Sequence, residues 1–443
     1  MTNSKVAYQR LNIQRLPERP FILKLVVPMV IVFFIIFCFI GFLIPQPGST
    51  VNRYDQNWSS ESFINDSELL DALKSLLHCK STGAEYRIET RGNFYVLKNF
   101  ITPKRKRQLE CYESITYTTH GDYRFLDNII PLLERWQAPL SVAVYAPGEE
   151  LDVAVEALRY LMYCERQSYL VEEYASVHLY FDFERIPPKP IEFYRDLIQR
   201  PAKCPTNHSF PMATVDSPSN HTYPVNVGRN IARDAAQTHF VLASDIELYP
   251  NPGFIEMFLQ MIVHPAYRHT LDVPSVYVLP VFEVSGSSSV PEDKIELLQM
   301  LKRGDAIKFH ENICPQCHTV PNYDEWLAIA KTEQSMDILS TAKREGRFDL
   351  WEPIYVGTKM EPQYQERLNW EGKFDKMTQG YIMCVLGYSF HVLDNGFLVH
   401  RPGFKNLTEA ARPDLERTQR NFVEDVIFEE LKVLYGEDKH CRL

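Results

Sequence analysis

Apolar positions along this chain recur in a strand–helix rhythm. Ser114 to Thr119 (SITYTT) has strand character, and Gly121-Asp122 break it ahead of a helix-like run from Leu126 to Trp136. Leu140 to Tyr145 (LSVAVY) is a short β-rich run followed by a helical pattern over Glu149 to Cys164. Val177 to Phe183 (VHLYFDF) alternates at period two. A helix carrying Gly228 to Thr238 then leads into His239 to Ala243 (HFVLA), a buried-strand pattern. Strands at Ser275 to Val284 and Ile354 to Val356 extend the sheet, and Ser389 to Val399 adds a late strand pair. Strands alternating with helices at this spacing predict an α/β fold with a mixed, largely parallel sheet. No repeat of 20–50 residues is visible, which argues against a solenoid or propeller.

The N-terminal part obeys a different pattern. Leu25 to Ile44 is an uncharged run of twenty residues, long enough as a helix to span ~30 Å, the thickness of a bilayer's hydrocarbon. Five basic residues and one acidic residue precede it, a net charge of +4 over Met1 to Lys24, which keeps that end cytosolic. The expected organisation is a cytosolic tail (1–24), an uncleaved signal anchor (25–44), a polar stem (45–104) with a helical patch at Leu69 to Leu77, and a catalytic domain (105–443). A cleaved signal peptide is the rival reading; its apolar core is shorter and ends in small residues, whereas this run is rich in Phe and Ile and ends in Pro45-Gln46-Pro47.

Two further features place the bulk of the chain in a secretory lumen. All five N-x-S/T sequons, at Asn57, Asn65, Asn207, Asn220 and Asn406, follow the apolar run. Cysteines after Cys38 number eight, an even count that suits disulfides, with the pairing left open. The composition, 45% hydrophobic and 23% charged, is that of a globular protein with a core. A net charge of −10 gives no basis for a nucleic-acid partner.

The chemistry concentrates in Tyr223 to Pro250. The apolar strand Phe240 to Ala243 runs directly into Ser244-Asp245-Ile246-Glu247. Ligands in open α/β sheets bind at the carboxyl ends of strands, and two carboxylates one residue apart at such an end can share a crevice. Hard oxygen ligands of this kind suit Mn²⁺ or Mg²⁺, which keep substrate phosphate oxygens in their shell. An acidic pair after a strand is more often a solvated loop end; the upstream helix Gly228-Arg229-Asn230 with Ala232-Arg233 adds weight, since its N-terminus and guanidinium groups suit anions and sugar hydroxyls.

That helix, the strand and S-D-I-E-L-Y-P resemble glycosyltransferase family 49, a group that includes glucuronyltransferases of α-dystroglycan glycans. The later segments Trp351-Glu352-Pro353, Glu366-Arg367, Gly372-Lys373-Phe374-Asp375-Lys376 and Gly396-Phe397-Leu398-Val399-His400 agree with it. The resemblance covers roughly Ser114 to Lys405. It implies a GT-A-type nucleotide-sugar fold, a UDP-sugar donor, a divalent metal and inversion at the anomeric carbon. Asp245 and Glu247 stand where the family has a D-x-D pair, the second aspartate being replaced by glutamate, and His400 matches a late histidine that completes the metal shell. Thr118, Thr119 and Asp122 fall where such enzymes grip uridine, and Arg229, Asn230, Arg233, Lys373 and Lys376 are further donor-binding candidates.

Inverting transfer also needs a base for the acceptor hydroxyl. Glu352, Glu366 and Asp375 are candidates, and Glu366, beside Arg367, is the expected one, against the plain alternative of a structural Glu–Arg pair. The expected activity is transfer of glucuronic acid from UDP-glucuronic acid, in β linkage, to a terminal xylose-type sugar of a glycoprotein glycan, in the Golgi. An N-acetylglucosaminyl donor, or an inactive GT-A protein that binds glycans, are the alternatives. Self-association or a complex with a second glycosyltransferase remains open. Cys314-Pro315-Gln316-Cys317-His318 spells a haem-attachment pattern, but a lumenal disulfide fits the setting better than haem or zinc. Trp351 and Trp370 are expected to stack on sugar rings.

Overall fold

The computed structural model describes residues 66–105, 107–205, 210, 222–330, 335–405 and 412–443. The apolar run 25–44 and all five sequons (Asn57, Asn65, Asn207, Asn220, Asn406) lie outside these residues. Among the described residues no helix is long and apolar enough to cross a membrane.

The strands are β1 (Arg87–Arg91), β2 (Phe94–Ile101), β3 (Ile115–Asp122), β4 (Leu140–Tyr145), β5 (Ala175–Asp182), β6 (Phe240–Ala243), β7 (Leu248–Pro250), β8 (Ser275–Leu279), β9 (Val281–Val284), β10 (Ala306–Lys308), β11 (Ile338–Ala342), β12 (Ile354–Gly357), β13 (Ser389–Leu393) and β14 (Leu398–His400). The large sheet has the order β1-β2-β5-β4-β3-β6-β12-β8-β13-β11, and a smaller one runs β10-β9-β14-β7. The four central strands β5-β4-β3-β6 are parallel, as is the pair β8–β13. Strand β12 enters antiparallel between β6 and β8, and both edges are antiparallel. The fold is therefore mixed α/β, less parallel than expected. The reason is local: β1–β2 form a hairpin, and β12 arrives from a long excursion on the opposite side.

Two boundaries differ from expectation. The span 45–104, read as stem, contributes β1 and β2 to the sheet, and helix α1 (Ser67–Leu77) buries Leu69, Leu73 and Leu77 in the core. Asp66 caps α1, accepting from the amides of Glu68 and Leu69. Folded structure thus begins by Ser67. The run Ser275 to Val284 is two strands in different sheets, because Pro280 lacks the amide that would continue the ladder. The late pair β13 and β14 separates in the same way around Asp394-Asn395. Disulfides Cys79–Cys111, Cys164–Cys204, Cys314–Cys317 and Cys384–Cys441 bear out the cysteine count.

Helix α2 (Val225–Ala235) determines the shape of the site. It packs so closely on the central strands that a Cβ at Gly228 would stand 2.7 Å from the Tyr180 hydroxyl and 2.9 Å from His120 Cβ. Glycine is required there by space, not by backbone angle.

His178, at the centre of β5, is fully buried; its Nδ1 accepts from the Asn99 amide at 2.8 Å and its Nε2 lies 3.0 Å from Ser141 Oγ. Burial, then the charge of Lys98, pushes its pKa down to about 3. The folded value lies below the unfolded one of about 6.5, so the stability it confers is present above pH 6.5 and is lost as pH falls toward 3. From His178 alone, unfolding free energy should be lower by about 2 kcal/mol at pH 5 than at pH 7. Urea titrations at the two pH values check this, and His178→Gln should flatten the difference.

Candidate active site

Parallel pairing of β3 with β6, with Thr118 opposite Ala243, ends both strands at one crevice. His120 and Asp122 come from the first strand end, and Asp245 and Glu247 from the turn after the second. Strand β14 joins from the other side: it pairs with β7 so that His400 stands opposite Leu248, one residue from Glu247. A cavity of about 570 Å³ is lined by Asp245, Glu247 and His400 together, with Asp122, Trp370 and Lys405 at its walls. The three residues expected to hold a metal thus share one hollow.

The two carboxylates sit in separate charge networks. Asp245 Oδ1 accepts from Arg229 Nη2 at 3.1 Å and lies 3.5 Å from His120 Nε2, while Oδ2 is 3.9 Å from Lys376 Nζ. Burial opposes its ionisation, but Lys376, the nearby His120 ring and Arg229 outweigh that and hold it well below the usual carboxylate range. Glu247 faces His400 Nε2 at 3.5 Å, Arg401 at 3.8 Å and Lys405 at 3.9 Å. These partners likewise overcome burial and lower its pKa. Both carboxylates are anionic at neutral pH.

The His400 ring carries a specific signal. Its Nδ1–H donates to the Arg401 carbonyl at 2.8 Å, which fixes the ring and turns Nε2 toward the cavity. That nitrogen is buried without a hydrogen-bond partner and confronts a carboxylate oxygen of Glu247. A neutral ring in this position needs a cation, a proton or a metal ion, between its Nε2 and the carboxylate, and a ring held by a backbone carbonyl is the usual posture of a metal-ligating histidine. The pair fits a hard divalent ion on that ground. Among the described residues no group of three or more His, Cys, Asp and Glu side chains converges as a cage. An ion here would need further oxygens from elsewhere, which a diphosphate supplies.

The other expected residues divide. Arg229 is buried between Asp245 and Asp375, donating to both, and its protonation is reinforced by them against the cost of burial. It clamps the site rather than facing the cavity. Asn230 donates to Glu366 and to the Tyr364 carbonyl, each at 2.8 Å, and Arg233 holds the carbonyls of Glu361 and Pro362. Both anchor the following loop. Lys373 is exposed and pairs with Glu416 at 2.6 Å. Thr118 and Thr119 are buried with hydroxyls that lack partners. Asp122 lines the cavity and accepts from the Arg124 guanidinium. Lys376 stays central.

Glu366, expected as the base, is outside the cavity lining, as are Glu352 and Asp375; its Oε1 is held by Arg91 and Asn230. Trp351 is 1% exposed and packs on Phe390, so it is core rather than a sugar platform, whereas Trp370 is 46% exposed at the cavity wall. Sequence reasoning missed His120, Arg401 and Lys405. The last two lie within five residues of His400, and a cationic cluster beside a proposed ligand was the available signal.

The sequence profile of the family described as "Glycosyl-transferase for dystroglycan" matches residues 114–436, and the chain belongs to this family. It is a glycosyltransferase. It is 27% identical to zebrafish (Danio rerio) beta-1,4-glucuronyltransferase 1 over 396 residues, 86% of this chain and 89% of the relative. Identity to the mouse (Mus musculus) beta-1,4-glucuronyltransferase 1 is 29% over 338 residues, covering 74% and 77% of the two chains. Similarity to the human (Homo sapiens) xylosyl- and glucuronyltransferase LARGE1 is confined to 181 residues at 27% identity, 41% of this chain and 22% of that one.

Removing the Arg229 guanidinium would leave Asp245 and Asp375 uncompensated in the interior. Arg229→Met should lower the unfolding free energy by about 3–5 kcal/mol, read from urea denaturation. Arg229→Lys, which keeps charge but not the two-sided fork, should recover only part of it.

Proposed function

We propose that this chain transfers glucuronic acid from UDP-glucuronic acid, in β linkage, to a terminal xylose-type sugar of a glycoprotein glycan. It would act as a metal-dependent, inverting, GT-A-type enzyme, anchored by residues 25–44 as a type II protein of the Golgi. The observation that carries this reading is His400 Nε2, buried without a hydrogen-bond partner, facing Glu247 in a cavity that also holds Asp245. The names of its relatives supply the sugar: three of them act as glucuronyltransferases. Membrane anchoring rests on the uncharged twenty-residue run and its basic flank.

Glu247 and His400 would hold Mn²⁺ or Mg²⁺, with Asp245 beside them. Bound there, the ion neutralises charge on the departing diphosphate. The chain's own residues do the rest. Arg401 and Lys405 add positive charge next to Glu247 for the diphosphate or the uronate carboxylate. Trp370 offers a half-exposed ring against which a pyranose can lie. Arg229 and Lys376 keep Asp245 ionised and fixed in direction.

The full-length chain, purified in detergent, should consume UDP-glucuronic acid among a panel of UDP-sugars and add it to a β-xyloside acceptor. Chelation should abolish turnover, and Mn²⁺ should restore it. Consumption of UDP-N-acetylglucosamine instead would replace the donor assignment. No turnover of any donor by a folded chain would favour a glycan-binding protein. Separately, Glu247→Gln should weaken Mn²⁺ binding at least 10-fold, measured by water-proton relaxation without any substrate.

A further inference from the structure

The C-x-x-C-H segment and Glu352 belong to one device, although 34 residues separate His318 from Glu352 in the chain. The Glu352 amide donates to the Cys317 carbonyl at 2.8 Å. The Glu352 carbonyl accepts from His318 Nδ1 at 3.2 Å. Both backbone polar groups of this residue are thereby held by the turn that the Cys314–Cys317 disulfide closes. The turn is itself seated on the site. Phe309 packs against His318 with ring centroids 5.0 Å apart, faces His400 at 5.8 Å, and lines the cavity.

The Glu352 side chain reaches the same centre through a single ammonium. Lys376 Nζ is 3.8 Å from Glu352 Oε2 and 3.9 Å from Asp245 Oδ2. The two carboxylates can be no farther apart than those two legs together. Glu352 keeps 19% of its side chain accessible, enough for a substrate hydroxyl to meet it. Its charged surroundings are Lys376, Asp375, Arg229 and Arg344. Burial raises its pKa, with Lys376 opposing, which makes the carboxylate a stronger proton acceptor than a solvated one. His318 is kept neutral by burial, with a pKa near 3, so it serves as a donor to the carbonyl rather than as a cation. Glu366, by contrast, shares no cation with Asp245 among the described residues; Arg91 and Asn230 both bind its Oε1.

The geometry points to Glu352 as the catalytic base that deprotonates the acceptor hydroxyl, with the disulfide-closed Cys314–His318 turn as the positioning element that aims it. This rests on the glycosyl-transfer reading. In the step, the Glu352 carboxylate takes the hydroxyl proton as the acceptor oxygen bonds to the anomeric carbon. The bond from that carbon to the diphosphate oxygen breaks, and its electron pair leaves with the nucleotide.

The test uses the full-length chain in detergent with UDP-glucuronic acid, Mn²⁺ and a β-xyloside. Wild type must first transfer; if it uses no UDP-sugar, the functional reading fails. With an active wild type, Glu352→Gln should lower kcat for transfer about 10²- to 10⁴-fold while leaving UDP affinity, by calorimetry, within 3-fold of wild type. Glu352→Asp should recover part of kcat. His318→Ala should lower kcat with the donor KM unchanged, and His318→Asn, which retains a donor toward the carbonyl, should restore part of it. Transfer by Glu352→Gln at near wild-type rate overturns the assignment. So does loss of UDP affinity in both Glu352→Gln and Glu352→Asp, which would make the residue structural.

Discussion

A buried guanidinium holds this cleft together. Arg229 is 5% exposed and spans Asp245, on the loop after the central strand, and Asp375, on the segment that returns over it. Three elements distant in sequence converge on that group: helix α2, the β6–β7 turn and the loop before Met377. Burying three charges is costly, and the arrangement persists because further positive charge stands beside the carboxylates. Lys376 Nζ lies 3.9 Å from Asp245, and His120 Nε2 lies 3.5 Å from it. The result is a carboxylate whose direction is decided before any ligand arrives, which is the form of preorganisation that an electrostatic site requires.

Much of the scaffold was legible because its central strands are buried on both faces. Such strands read as unbroken apolar runs, so β4 and β6 stand out, and Asp245 and Glu247 were found by following one run to its carboxyl end. The edges were harder. Strand β1 (RIETR) is largely exposed, and its polar sequence carries no such signature, so it was taken for stem. Pro280 and the Asp394-Asn395 turn divide single apolar runs between two sheets, and only tertiary pairing decides which strand goes where.

The choice between Glu352 and Glu366 was not available from sequence for a related reason. Both lie in the stretch from Leu350 to Asp375, which holds only the four-residue strand β12 and no periodic helix. Chain neighbours say little there. Arg367, adjacent to Glu366 in sequence, actually pairs with Glu430. The partners of Glu366 come from residues 91 and 230 instead, and those of Glu352 from residues 317, 318 and 376. Disulfide-closed turns such as Cys314–Cys317 look like motifs in their own right, but here the turn's chemistry lies in the carbonyl and ring it presents to a distant residue.

Glu247, where the family resemblance implies an aspartate, has a longer reach than that residue would have. The added methylene carries the carboxylate outward toward β14, where His400, Arg401 and Lys405 meet it. A shorter side chain from the same backbone position would retreat from that cluster. The glutamate therefore couples the β6–β7 turn to the strand that ends in His400, and the antiparallel pairing of Leu248 with His400 sets the spacing. Cations at Arg401 and Lys405 then serve two states. Without a ligand they compensate Glu247; under the proposed function a divalent ion would take over that role and free them to meet phosphate or uronate oxygens. Under that reading the site would bind cation and anion together more favourably than either alone, because each relieves the charge that the other leaves exposed.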